Sequence, residues 1–149
     1  MAQSSVETKP SLSLERTYRA APERIWRAWT QAEALKQWFA PSEAHKVDVM
    51  EIDVRVGGRY RIAITAPDGE VHDVSGVYRE VVPNERLVFT WAWRSTPERM
   101  SQVTVALRPV RTGTALTLTH EQFFDDAARD RHRQGWTTFL DRLDAAALG

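Results

Sequence analysis

From Val47 onward the chain alternates apolar and polar residues at a period of two, and over residues 126–148 the period lengthens to that of a helix. The alternating part predicts six strands, at 47–54, 59–65, 71–82, 86–93, 100–109 and 114–121. Turn-forming residues separate them: Gly57-Gly58, Pro67-Asp68-Gly69, Pro83-Asn84, Ser95-Thr96-Pro97 and Arg111-Thr112-Gly113. Connections this short join antiparallel neighbours, so the six strands form a meander. Leu87, Phe89, Trp91 and Trp93 share one parity; so do Val103, Val105 and Leu107, and Leu116, Leu118 and His120. Each set, with Tyr60, Ile62 and Ile64, is expected on the buried face. Strand 47–54 is ambiguous, because Met50, Ile52 and Val54 compete with Val49, Asp53 and Arg55 for that face.

Before the meander, Leu12, Leu14, Arg16 and Tyr18 alternate with polar residues and predict a first strand. Pro22 suits the first position of a short helix whose face is Ile25, Trp26 and Trp29. Thr30 and Glu33 have the spacing of a capping box and predict a second short helix, which buries Leu35, Trp38 and Phe39 before Pro41 stops it. In the terminal helix Ala128, His132, Trp136, Phe139, Leu143 and Ala146 form one stripe, with Gly135 and Leu140 beside it. Asp125 or Asp126 is expected to cap it, with Asp125 pairing to Arg129. The helix would reach about 34 Å, and a seven-stranded sheet about 29 Å, so one helix can cover the whole sheet. The order is strand, two short helices, six strands, long helix. The expected architecture is α+β, a curved antiparallel sheet gripping the terminal helix.

At 149 residues this fits a single domain, 11–149, after a disordered tail at 1–10. Twenty acidic and twenty basic residues cancel, so nothing points to nucleic acid or to an anionic membrane. No apolar run is long enough to span a membrane and no signal-peptide core is present, which makes the cytoplasm the default location. The absence of cysteine removes disulfides, thiol catalysis and thiolate metal ligands. Six tryptophans are many for this length; core packing is the commoner reason, and cavity walls are the other.

Several short motifs occur together in one order: Ala21 to Trp26, Trp38-Phe39-Ala40-Pro41, Asp53 to Gly58, Gly76-Val77-Tyr78, Thr90-Trp91, Thr119-His120-Glu121 and Gly135-Trp136. In these the chain resembles the START-like (SRPBCC) superfamily, in the branch of homologues of the activator of the heat-shock chaperone ATPase. The resemblance runs from about Leu12 to Leu148. It implies a helix-grip fold with a hydrophobic cavity between the sheet and the C-terminal helix. Members of the superfamily bind lipids, hormones and polyketides, and some catalyse cyclisation or hydrolysis in that cavity. The branch name implies chaperone binding, but the eukaryotic activator carries a further N-terminal domain. Only about ten residues precede the first strand here, so chaperone activation is disfavoured.

The expected pocket is lined by Trp38, Phe39, Tyr60, Trp91, Trp93, Trp136, Phe139 and Leu140, with Arg55 and His120 as polar contacts. Arg55 has two readings of equal weight, an inward anchor for a ligand carboxylate or a surface ladder with Asp53. His120 ends an inward strand face and is the candidate acid or base, although a satisfied semi-buried histidine is commoner. His132 lies on the helix stripe, near enough to meet His120 or a cavity opening. Two histidines make no metal site, and none is expected, nor is a cofactor. Gly135 inside the helix marks either close packing against a neighbour, the favoured reading, or room for a ligand. A binding domain for an apolar or aromatic molecule is the leading expectation. A cyclase, aromatase or hydrolase using His120 comes second and a chaperone co-factor third. A homodimer is left open.

Overall fold

The computed structural model describes residues 9–148, and their strands lie side by side in the order β1-β7-β6-β5-β4-β3-β2. The strands are β1 (Leu12–Tyr18), β2 (Lys46–Ile52), β3 (Arg59–Thr65), β4 (Val71–Val82), β5 (Arg86–Trp93), β6 (Ser101–Val110) and β7 (Gly113–Glu121). Helices α1 (Pro22–Thr30) and α2 (Ala32–Leu35) follow β1, and α3 (Asp126–Leu148) ends the chain. Every neighbouring pair is antiparallel, and β1 closes the row by pairing with β7 from Leu12 opposite His120 to Tyr18 opposite Thr114. This is the helix-grip α+β fold. Of the tail expected at 1–10, residues 1–8 lie outside the described residues, and the Pro10 carbonyl accepts the Phe123 N–H at 3.1 Å.

The inward parities follow the alternation. Leu87, Phe89 and Trp91, Val103 and Val105, Leu116 and Leu118, and Tyr60, Ile62 and Ile64 are all buried in one core with Trp136, Leu140 and Leu143 of α3. The ambiguous β2 satisfies both of its parities in turn. A bulge between Val49 and Glu51 leaves Met50 exposed and unpaired. Val47 is buried before the bulge, Ile52 packs on the core after it, and one extra residue thereby switches the inward set. Asp53 and Arg55 consequently fall outside.

Two local expectations are corrected. Thr30 does not cap α2: its hydroxyl donates to the Trp26 carbonyl at 2.8 Å, and Gln31 stands at the cap position without a side-chain bond. A hydroxyl still inside α1 reaches the carbonyl one turn back more readily than the helix ahead. In α3, Asp125 accepts the Ala128 N–H at 2.8 Å as a cap, and Arg129 pairs with Asp126 and Asp130 instead of Asp125.

Gly76 marks the tightest approach in the sheet. A β-carbon there would run into the Thr90 carbonyl and lie 2.7 Å from the Tyr60 ring. Tyr60 donates its hydroxyl to that carbonyl at 2.6 Å, and Thr90 accepts the Val77 N–H on Oγ1 at 2.8 Å. The backbone cannot withdraw without breaking these bonds. Gly76→Ala is expected to destabilise the fold by about 1–3 kcal/mol or more, read as a lower urea midpoint.

Candidate functional site

Between α3 and the β3–β5 side of the sheet lies a cavity of about 800 Å³. Its walls are Ile64 of β3, Val71 of β4, Trp91 and Trp93 of β5, and Trp136 and Phe139 of α3. The mouth carries the polar groups: His45 before β2, His72 and Asp73 at the start of β4, Arg94, Ser95, Thr96 and Arg99 after β5, and Arg131 and His132 on α3. Such a volume suits a small organic ligand. Gly135 also lines it, and a β-carbon there would meet nothing within 4 Å. The favoured reading of Gly135 as close packing is therefore corrected: the glycine faces open space.

A hollow of about 20 Å³ lies deeper, between Trp29, Leu35, Phe39, Tyr60, Phe89 and Trp91 among others. Trp91 bounds both spaces. The indole N–H groups of Trp29 and Trp91 are buried and, among the described residues, unpartnered. A buried donor left unpaired costs about 1–3 kcal/mol, so an acceptor atom reaching either indole would be held firmly.

Behind the wall runs a hydrogen-bonded chain whose proton positions follow from its ends. An indole N–H only donates, so His120 Nδ1 accepts from Trp136 at 2.9 Å. The neutral ring then carries its proton on Nε2 and donates to Ser101 Oγ at 2.7 Å, and Ser101 donates to the Trp91 carbonyl at 3.3 Å. His132 repeats the device with the other tautomer. Its Nε2 accepts from the Trp93 indole at 2.9 Å, and its Nδ1–H donates to the Ala128 carbonyl at 2.7 Å. The two imidazoles sit 5.1 Å apart, centre to centre. Burial pushes His120 well below the ordinary histidine pKa, with His132 adding to the effect. Burial lowers His132 too, against the opposing Ala128 bond. Neither ring keeps a free lone pair, which suits them to fixing tryptophans better than to moving protons.

The expected site residues divide. Trp91, Trp93, Trp136 and Phe139 line the cavity, and Phe39 and Tyr60 bound the inner hollow. Trp38 and Leu140 are fully buried in the core; the Trp38 indole donates to the Ala28 carbonyl at 3.0 Å and its ring packs on Trp29 and Phe39. His120 is 0% exposed and stands one layer behind the wall. Arg55 does not reach the cavity: its side chain is 72% exposed and pairs with Asp53 at 2.7 Å, the surface ladder of the two readings. The arginines that do reach it, Arg94, Arg99 and Arg131, carry no periodic signal, because a loop and a helix far apart in the chain bring them together. Among the described residues no group of acids and histidines could hold a metal, and no helix is long and apolar enough to cross a membrane.

Comparison with known proteins places this geometry. The family described as Activator of Hsp90 ATPase homolog 1-like protein matches residues 19–147. A solved protein from Chromobacterium violaceum is 32% identical, with a TM-score of 0.84, and the match covers 92% of this chain and 96% of that one. A family protein from Silicibacter pomeroyi is 30% identical, with a TM-score of 0.79 over 91% and 96% of the two chains. The human activator of 90 kDa heat shock protein ATPase homolog 1 is 25% identical over 129 residues, which are 86% of this chain and 34% of that protein. The chain thus spans about a third of the length of that curated relative.

Proposed function

The chain belongs to the Activator of Hsp90 ATPase homolog 1-like family, and we propose that residues 11–149 act as one binding domain for an apolar or aromatic small molecule. The observation that carries this reading is Gly135. A glycine inside a helix costs about 1 kcal/mol relative to alanine, and no neighbour here requires its missing side chain. Its position on the cavity wall supports a role in keeping that space open. The aromatic walls and the buried unpaired indoles support the same reading.

Turnover is the weaker alternative, since both nitrogens of His120 are already engaged. The human relative is named for chaperone ATPase activation, but the likeness covers about a third of that protein, so the binding reading is preferred.

Two substitutions separate packing from binding. Gly135→Ala is expected to raise stability by about 1 kcal/mol and to keep binding. Gly135→Leu should fold and project a side chain into the cavity, narrowing it. Binding of 1-pyrenebutanol, followed by energy transfer from the wall tryptophans, should be weakened in the leucine variant. Undiminished binding there would overturn the proposal.

A further inference from the structure

Resting on the binding reading above, we propose that the ligand is an apolar or aromatic carboxylate whose head group is held at the mouth by Arg94 and Arg131, with Arg99 beside them. The chain as a whole is neutral, yet its cavity gathers three arginines against one acid, Asp73. That acid is already matched: Arg61 grips it with Nε at 3.1 Å and Nη2 at 2.8 Å. Arg94 approaches it only to 3.8 Å, with a side chain 76% exposed. Arg131 has no ion pair among the described residues, and Arg99 lies over the Phe124 ring at 3.9 Å, with Glu98 at 3.7 Å. Two guanidinium groups are therefore left largely available at the opening.

Their placement also fits an amphipathic shape. Arg131 and Gly135 are one turn apart on α3, so they share a helix face. A carboxylate on Arg131 would lead its apolar body directly to the open space at Gly135 and on to Trp91, Trp136 and Phe139. Arginine suits a planar carboxylate because its donors match both oxygens.

The test uses the intact protein and two matched probes, 1-pyrenebutyrate and 1-pyrenebutanol, titrated by tryptophan-to-pyrene energy transfer. The acid is expected to bind on the order of tenfold tighter than the alcohol, an advantage that shrinks with added salt. In Arg94→Gln/Arg131→Gln the acid should fall to the affinity of the alcohol. Equal binding of both probes to the unaltered protein overturns the carboxylate assignment while leaving the cavity reading intact. An advantage for the acid that survives the double substitution overturns the arginine assignment. Binding of neither probe overturns this proposal and the reading beneath it together.

Discussion

Lowering the pH from about 7.5 to about 5.5 is expected to reduce stability through His120 and His132, by at most about 3 kcal/mol. Both rings are held neutral, and burial places both pKa values below the ordinary 6.5. As pH falls through that value the unfolded chain takes up protons that the native chain refuses. Stability is therefore full above about pH 7 and drains below it, by up to about 1.4 kcal/mol per pH unit for each ring. Protonating His120 would break the Trp136 bond and place a cation against His132, Trp91 and Phe123. Protonating His132 would break the Trp93 bond and set a cation beside Arg131. Urea midpoints across this range measure the slope, and His132→Gln should make it shallower. Equal midpoints at both pH values would remove the two rings from the account.

Trp136→Ala carries the largest single-site expectation, a loss of about 3–5 kcal/mol. Its ring is 2% exposed and meets Trp91 at 5.1 Å, Phe139 at 5.7 Å, Trp29 at 5.9 Å and Phe39 at 6.2 Å. The indole N–H is a separate contribution. Trp136→Phe keeps most of the ring contacts but leaves His120 Nδ1 buried without its donor, which costs about 1–3 kcal/mol. The order alanine, phenylalanine, unaltered protein in rising urea midpoint is the expected result. A phenylalanine variant as stable as the parent would mean that the His120 bond contributes nothing measurable.

The strand parities and the α3 stripe were legible because side-chain alternation and helical period are local properties of Leu87 to Trp93 or Ala128 to Leu143. The bulge at Met50 was not, because it exists only relative to the register with β3. Trp91, Trp93, Trp136 and Phe139 could be placed near one another from their faces alone. Their division from Trp38 and Leu140 depends on which interior residues border the space, a matter of three-dimensional packing. Arg55 shares a parity with Asp53 that the sequence shows, whereas Arg94 and Arg131 lie about forty residues apart and border one cavity only through the fold. Gly135 stood out as an odd residue, but the sequence could not say whether a neighbour or a void lay opposite.

The interrupted outer strand β2 has a bearing on how copies of this chain meet. Among the described residues its far side has no partner strand, so it is a margin to which another molecule's backbone could bond. The bulge at Met50 divides that margin into a run of four residues, Lys46 to Val49, and a remnant of two. Lys46, Asp48 and Glu51 set charges along it. A second strand docking there would lose register after a few rungs, so β2 is a poor template for end-to-end growth into fibres.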